Sequence, residues 1–539
     1  MSDFLSGLTL LADPAVVFAL FIGSIGGVVI GAIPGVGAAV AIAILLPATF
    51  ALEPLVGLTM LLGIYGSSMY GGSLPAILIN TPGTAVNALT TYDGHPMTRR
   101  GEALRALGLA YGASFVGGIL SIAALILLSP VLAKVAPLFG SREIFLAALL
   151  GIVLVVIAHR GQTLVAGSLA AFGILINTIG LEPVRYTQRF TFGQDWLSSG
   201  VDLIVVVLGL FALSQAFVLL TDPERAPITQ RVQGNMFTAM LGVFRHKRVA
   251  GAGSFFGVLM GMIPGVGEFT AQFLSYTYAQ KTSKRPQDFG HGSSEGLIAA
   301  ETSNNAVPAA AMVPLLALGI PGEALTAMML SVFYVHNVVP GPGLFQNSMD
   351  FIMALYLALL ILNVLVVVFL LVATRPLIQV VKIPNRFLGI CVLTLSFVGV
   401  YSLRNSATDC VIAAVFGIIG YILKRLSLPI VPIILGMVLG NIMEVKLRAG
   451  MARVKEPFDF IDRPVAMILF LAILAVLAIH FRHVLQDRKS LKEAEWQSKH
   501  RSTRFGALLF RRKGSLSRAR GRKVKARHST SYRRSTERD

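Results

Sequence analysis

Small, uncharged polar residues stand beside Pro-Gly pairs in both halves of the chain. They are Ser73, Asn80, Thr81, Thr84 and Asn87 around Pro82-Gly83, and Ser303, Asn304 and Asn305 ahead of Gly319-Ile320-Pro321-Gly322. Hydroxyls and amides offer hydrogen bonds without carrying charge. A helix that begins at such a break adds free N–H groups and about half a positive charge. The pattern therefore suits the binding of a carboxylate.

Acidic residues occur in or beside apolar segments of the second half, namely Glu268, Glu295, Glu301 and Glu323. Ionisable residues inside a membrane usually mark ion or proton pathways, although each of these could instead sit at an interface. Glu301, just before Ser303, is the preferred candidate for coupling. His336 is expected to be interfacial or packed.

No Lys or Arg lies inside the Pro-Gly motifs. Helix ends, amides and co-bound cations would then have to balance a bound anion, which favours Na⁺ or H⁺ coupling with carbonyl oxygens as ion ligands. No cofactor and no firm metal site are predicted. The two cysteines, Cys391 and Cys410, form no CxxC pair and indicate neither a metal site nor a disulfide framework.

The Pro-Gly motifs belong to an internal repeat. About ten of seventeen positions are identical between FIGSIGGVVIGAIPGVG (21–37) and GAGSFFGVLMGMIPGVG (251–267). A second pair of similar segments follows in each half, SLPAILINTPGTA (73–85) and MVPLLALGIPGEA (312–324). Pro removes a backbone donor and Gly tolerates unusual conformations, so we expect the helices to break at Pro34, Gly35 and Gly37 and at Pro264, Gly265 and Gly267. Breaks in matched positions of two halves indicate a transport site. The alternative is that they only bend helices and allow close packing.

The basic residues of the loops indicate how each repeat is oriented. Arg99, Arg100 and Arg105 follow the second motif in the first half, whereas Lys281, Lys284 and Arg285 lie between the motifs in the second half. Because Lys and Arg are enriched in cytoplasmic loops, equivalent loops are predicted on opposite sides of the membrane. This is the mark of an inverted-topology repeat and of alternating access.

The composition requires a membrane. The chain is 55% hydrophobic and 14% charged over 539 residues, and its mean hydropathy is +0.73, which excludes an ordinary soluble globular protein. Apolar runs long enough to cross a bilayer predict an all-α polytopic protein with roughly ten to twelve spans. The predicted organisation is a first membrane repeat over 1–230, a second over 231–481 and a tail over 482–539.

The tail carries most of the formal net charge of +19, with about +14 from Arg482 onward. It has few large apolar residues and is expected to be disordered and cytoplasmic. Contact with anionic lipid headgroups is the preferred interpretation. A nucleic-acid-binding arm is the alternative, but no folded reading module accompanies the charge, so no nucleic-acid partner is expected.

Three stretches carry a family resemblance: GSSMYGGSLPAILINTPGTAVNALTTYDGHPMTRRGEALRALGLA, FGVLMGMIPGVGEFTAQFLSY and FGHGSSEGLIAAETSNNAVPAAAMVPLLALGIPG. They resemble the large, TctA-like membrane subunit of the tripartite tricarboxylate transporters, and the likeness extends from about Gly23 to near Ile479. It implies about twelve spans in the bacterial inner membrane, a smaller membrane subunit of about four spans and a periplasmic solute-binding protein. It also implies ion-coupled secondary uptake of citrate-like and other organic acids.

The resemblance also implies a substrate site. It would be lined by Asn80-Thr81-Pro82-Gly83, and by Asn304-Asn305 with Gly319-Ile320-Pro321-Gly322, while the IPGVG turns would be the helix breaks. The chain departs from the family pattern at Ala300, where Pro is usual before Glu301, at Pro308-Ala309-Ala310 and at Thr84-Ala85. These positions border the implied site, so substrate and coupling ion cannot be copied from the family.

Two other classes of protein compete with a transporter as interpretations of the sequence. A membrane-embedded enzyme needs a recognisable catalytic set, and the sequence has no HExxH, no GxSxG in a suitable context and no P-loop. A non-transporting scaffold that recruits a partner through its basic tail is opposed by the inverted repeat. The sequence therefore predicts a transporter and not an enzyme, although an ATPase could reside on a separate subunit.

Overall fold

The computed structural model describes residues 2–159, 161–182, 186–222, 235–380, 383–452, 454, 456–482 and 484. The chain divides into two compact units, Met1–Leu471 and Ala472–Asp539. The predicted tail, 482–539, lies outside the described residues except for Arg482 and Val484, and so does the predicted junction between the repeats at residues 230 and 231. The domain boundaries therefore stay a prediction.

The first half contains ten helices among its described residues. They are α1 Ser2–Leu11, α2 Pro14–Gly31, α3 Gly37–Thr49, α4 Pro54–Ile79, α5 Thr90–Arg99, α6 Ala103–Val135, α7 Ser141–Ala158, α8 Thr163–Asn177, α9 Leu203–Val207 and α10 Ser214–Thr221. A π-helical turn, Leu208–Leu213, joins α9 to α10. Two short strands, Gly180–Leu181 and Gln188–Arg189, pair antiparallel in the loop after α8. They are a small exception to the all-α prediction.

The second half repeats this order. Its helices are α11 Met236–Leu241, α12 Lys247–Gly261, α13 Gly267–Thr282, α14 Ser294–Leu318, α15 Ala324–Val335, α16 Pro342–Asn347, α17 Met349–Val380, α18 Asn385–Arg404, α19 Ala407–Arg425 and α20 Val431–Met451, followed by α21 Pro464–Arg482. Helices α2, α3 and α4 thus correspond to α12, α13 and α14, with a break at the Pro-Gly motifs in each set.

Eight helices of the described chain are long and apolar enough to cross a membrane. Helices α4, α14 and α20 are also long enough, at 26, 25 and 21 residues. Small and polar residues lower the hydropathy of α4 and α14, and α20 carries three charged residues near its end. Helices α4 and α14 are buried along almost their whole length. A helix that faces protein instead of lipid does not need an apolar surface. With these three, the number of helices of spanning length falls within the predicted range.

Glycines at every fourth position let α2 and α12 approach their partners closely, as in small-xxx-small packing of membrane helices. Gly23, Gly27 and Gly31 lie against α4, where a Cβ on Gly31 would stand 2.2 Å from the carbonyl oxygen of Ser68. The equivalent glycines Gly253, Gly257 and Gly261 lie against α14. The same crossing is therefore built twice, as the internal repeat predicted.

The two basic loops converge on one side of the molecule. Arg100 and Arg105 from the first half, and Lys284 and Arg285 from the second, line one cavity of about 760 Å³. These loops occupy non-equivalent positions in the two repeats, so their convergence is what an inverted relation requires. The last helices of each half also pack against the other half. Helices α7 and α8 of the first half pack against α20 of the second, and α18 and α19 of the second half pack against the segment from α9 to α10 of the first.

Candidate functional site

In the first half, the two Pro-Gly motifs meet through their backbones. The turn between α2 and α3 holds Gly35 and Gly37 at φ +82° and +62°, a region that favours glycine. The Gly35 N–H donates to the carbonyl of Gly83 at 2.9 Å. The break after α4 and the break after α2 therefore form one site, which we call the first break (residues 34–37 with 82–84).

The second half repeats this geometry. Gly265 and Gly267 have φ +80° and +67°, and the Gly265 N–H donates to the carbonyl of Gly322 at 2.6 Å. We call this the second break (residues 264–268 with 321–323). All the residues predicted to interrupt helices, including Pro34 and Pro264, lie in these two turns. The pairing of each IPGVG turn with the following Pro-Gly was not predicted.

The helices that lead into the breaks end on left-handed residues. Asn80 caps the end of α4 at φ +55°, and Gly319 caps α14 at φ +69°. The Thr81 N–H donates to the carbonyl of Pro75 at 3.4 Å, and the Ile320 N–H donates to that of Pro314 at 3.3 Å. The Asn80 side chain is exposed. Its clearest role is therefore to end the helix.

The two Pro-Gly glycines are not equally crowded. A Cβ on Gly83 would lie 2.1 Å from the carbonyl oxygen of Gly31, whereas a Cβ on Gly322 would lie no closer than 3.0 Å to the carbonyl oxygen of Gly261. We expect Gly83→Ala to lower the free energy of unfolding by about 1–3 kcal/mol, because backbone must move, and Gly322→Ala to cost less. Denaturation of the two purified variants measures this. Equal losses would contradict it.

Glu301 lies at the centre of a buried cluster that joins the two halves. It is fully buried on α14, and it accepts hydrogen bonds from side chains of the first half. Ser73 (2.8 Å), Thr90 (2.5 Å) and Asn87 (3.5 Å) donate to Oε1, and Ser114 (2.9 Å) donates to Oε2. Four donors around one carboxylate create an environment that holds a charge or a proton inside the bundle.

The Glu301 cluster reaches the first break through Asn87 and Thr84. The Asn87 amide nitrogen also contacts Ser73 Oγ at 3.2 Å, and Thr84 Oγ1 donates to Asn87 Oδ1 at 2.5 Å. Thr84 in turn lies beside the turn, since a Cβ on Gly37 would stand 3.2 Å from its methyl group. A change at the first break can therefore reach Glu301 through directly bonded side chains.

Several buried polar atoms at the second break and on helices α13 and α14 have no hydrogen-bond partner among the described residues. They are Glu268 Oε1, both amide atoms of Gln272, both amide atoms of Asn304 and Glu323 Oε1. Glu268 and Gln272 lie one turn apart on α13, and Glu323 directly follows Gly322. Burying such atoms unpaired costs free energy, so their presence indicates a site that binds something polar.

Comparison with known proteins assigns the family. The sequence profile described as "Tripartite tricarboxylate transporter TctA family" matches residues 17–435. The chain belongs to the TctA family. It is 33% identical over 487 residues to the "Uncharacterized 52.8 kDa protein in TAR-I ttuC' 3'region" of Agrobacterium vitis, covering 89% of this chain and 96% of that protein.

A second protein of Agrobacterium vitis, the "Uncharacterized protein in TAR-II ttuC' 3'region", is 33% identical over 211 residues, which are 39% of this chain and 87% of that protein. No solved structure matches the chain. The TctA family consists of membrane components of transporters that work with a small membrane subunit and a periplasmic binding protein. The chain is therefore a multi-pass membrane transport component and not an enzyme.

The predicted residues of this TctA-family chain fall into separate groups. Ser73 and Asn305 belong to the Glu301 cluster, where Asn305 Nδ2 donates to Ser114 Oγ at 2.7 Å. Asn304 lies in the middle of α14. The remaining predicted substrate residues lie at the two breaks or beside them: Asn80, Thr81, Pro82, Gly83, Gly319, Pro321 and Gly322. Their binding roles stay predictions.

Two ionisable residues lie away from the breaks. Glu295 is 3.4 Å from His246 in the basic loop cavity, and His336 caps the end of α15. Sequence reasoning missed Thr90, Ser114 and Gln272. Thr90 and Gln272 lie near the motifs in sequence, but Ser114 lies within an ordinary apolar span, where one serine carries no signal of its own.

Proposed function

We propose that this chain is the translocating subunit for the uptake of small organic carboxylates, of the tricarboxylate or dicarboxylate class, across the bacterial inner membrane. Uptake is driven by a Na⁺ or H⁺ gradient and not by ATP. The observation that carries the proposal is the pair of matched helix breaks, each closed by a glycine N–H to glycine carbonyl bond. Broken helices in matched halves place substrate and ions where backbone groups are free to bind them.

The first break suits an anion, because helix α3 begins there and no acidic side chain stands in its first turn. The second break suits a cation or a proton. Glu268 lies in the first turn of α13, and Glu323 is the residue before α15. Glu301 is the proposed coupling residue, since it joins the two halves and is bonded toward the first break.

The arrangement in the membrane follows from the same proposal. The basic cavity lined by Arg100, Arg105, Lys284 and Arg285 faces the cytoplasm. The positive C-terminal tail lies on that side too, where it can contact anionic lipid headgroups. A periplasmic solute-binding protein delivers the carboxylate from the other side, and a small membrane subunit of about four spans completes the assembly.

Uptake into vesicles tests the proposal. The chain is reconstituted with its small membrane subunit and binding protein, and radiolabelled di- and tricarboxylates are supplied with a Na⁺ gradient, a pH gradient, both or neither. We expect one gradient to drive accumulation of at least one acid without ATP. Absence of uptake of every acid under intact gradients would contradict the proposal, and uptake that needs ATP would contradict secondary transport.

Variants of Asn304 and Asn80 distinguish a side chain that binds the transported species from one that only caps a helix. Asn304 is buried with both amide atoms unpartnered among the described residues, whereas Asn80 is an exposed left-handed cap. We expect Asn304→Ala to lower uptake roughly tenfold or more through loss of hydrogen bonds to the bound species. Asn80→Gly keeps the left-handed conformation and should leave uptake nearly unchanged. A large loss in Asn80→Gly would place that side chain in the site after all.

A further inference from the structure

The first break has a cation beside it that comes from a distant part of the chain. Lys424 lies in the last turn of α19, about 390 residues after the turn it approaches. Gly417 and Gly420 bring α19 close to the π-helical turn, where a Cβ on Gly420 would stand 2.8 Å from the carbonyl oxygen of Leu210. This close packing directs Lys424 toward α10.

The ammonium of Lys424 is bound only by neutral groups. Nζ donates to Gln215 Oε1 at 2.8 Å and to the carbonyl of Phe211 at 3.4 Å. Phe211 belongs to the π-helical turn, an irregularity often found at functional sites. Among the described residues, no carboxylate lies within ion-pair distance of this nitrogen.

The next residue along the helix, Arg425, has the environment that is usual for a cation at the end of a helix. Arg425 pairs with Asp222 at 2.7 Å, and its side chain is 43% exposed. Lys424 is half-buried and points sideways onto another helix instead of toward water. A positive charge directed into a bundle without a carboxylate partner is costly, and such residues usually serve a substrate or ion pathway.

Gln215 connects Lys424 to the first break. A Cβ on Gly35 would lie 3.1 Å from Gln215 Nε2, so the amide donor of this side chain stands against the turn. Gly35 itself is exposed, which leaves the turn open on one side. The positions that correspond to the acids Glu268 and Glu323 are here Ala38 and Thr84, so no carboxylate of the repeat competes for the cation.

From this geometry we infer that Lys424, with the amide of Gln215, binds a carboxylate group of the transported substrate at the first break. The inference rests on the proposed function and assigns the positive charge that the motifs themselves do not contain. It also gives the two breaks different roles. The anion binds at the first break, and the coupling ion binds at the acidic second break. The Glu301 cluster is bonded through Asn87 to Thr84 of the same break as the anion.

Kinetics of uptake by the full assembly test the inference. Lys424→Met removes the charge at similar length, and Lys424→Arg keeps it. We expect Lys424→Met to raise KM for the transported acid roughly 10- to 100-fold with a smaller change in maximal rate, and Lys424→Arg to restore much of the affinity. Arg425→Met is the matched control and should leave KM unchanged. A wild-type KM in Lys424→Met would overturn the inference while leaving the proposed function intact.

A second variant covers the case in which Lys424→Met fails to insert. Gln215→Glu is almost isosteric and places an internal carboxylate 2.8 Å from the ammonium, so it should neutralise Lys424 without removing it. We expect it to insert and to raise KM by a similar factor. Unchanged affinity in Gln215→Glu would also overturn the inference. A wild-type assembly that transports no acid would overturn the proposed function and this inference together.

Discussion

Replacement of Glu301 by Gln is expected to abolish gradient-driven accumulation of carboxylate while the protein still inserts. The change keeps the size of the side chain but removes the charge and one acceptor from a cluster in which Ser73, Asn87, Thr90 and Ser114 all donate. If the charge and the lost acceptor contribute about 3 kcal/mol to binding of the coupling ion, their removal corresponds to a decrease of roughly a hundredfold. Initial rates of uptake in vesicles measure it.

The control for Glu301→Gln is Glu53→Gln. Glu53 is exposed ahead of α4, and its side chain makes no capping bond, so uptake should remain at the wild-type level. Exchange of internal for external substrate without a gradient is a second readout. If Glu301 carries only the coupling ion, exchange survives in Glu301→Gln while accumulation is lost. Accumulation at the wild-type rate would remove Glu301 from the coupling mechanism.

Replacement of Asp93 by Ala is expected to produce the largest loss of stability. Asp93 is fully buried on α5, where Oδ1 accepts the N–H groups of Gly290, Gly292 and Ser293 at 2.7–2.9 Å. Tyr276 OH donates to Oδ2 at 2.8 Å. Removing the carboxylate leaves four donors unpaired, each worth about 1 kcal/mol or more, so we expect the free energy of unfolding to fall by about 3 kcal/mol or more. Denaturation in mixed detergent micelles measures it.

Asp288→Ala is the matched control for Asp93→Ala. Asp288 lies in the loop before α14 that Asp93 binds, and it is half-buried. Among the described residues its carboxylate receives no hydrogen bond. We expect a change within about 0.5 kcal/mol. Asp93→Asn, which keeps one acceptor oxygen, should fall between the two. A loss in Asp288→Ala as large as that in Asp93→Ala would show that the loop is sensitive to any substitution and that the Asp93 bonds are not special.

Local sequence was enough to predict much of the fold. Apolar runs of spanning length require helices in a bilayer, since every backbone polar group must find a partner inside it. The IPGVG and Pro-Gly motifs break those helices because Pro lacks a donor and Gly accepts left-handed angles, as at Gly35 and Gly265. The recurrence of both motifs at a nearly constant spacing predicted the repeat. The family followed from long, specific motifs.

The chemistry of the sites was predicted less completely. Glu301 stood out because an acid inside an apolar stretch is unusual, and the structure places it at the centre of a buried cluster. The motif around Asn80 predicts a binding role for its amide, whereas in the structure its side chain is exposed and its backbone ends a helix. A polar residue beside a break can serve the turn or the ligand, and local sequence does not distinguish the two roles.

What the sequence by itself determined is therefore everything governed by neighbours along the chain: helix lengths, breaks, the repeat and the asymmetry of basic loops. Only the tertiary structure decided which distant residues meet. It brings Ser114 to Glu301, Asp93 to the loop before α14 and Lys424 to Gln215 beside Gly35. These contacts depend on how helices pack across the two repeats, and packing between helices in a membrane is set by complementary small residues on both partners. The sequence around one helix shows only one of the two surfaces that meet in each such contact.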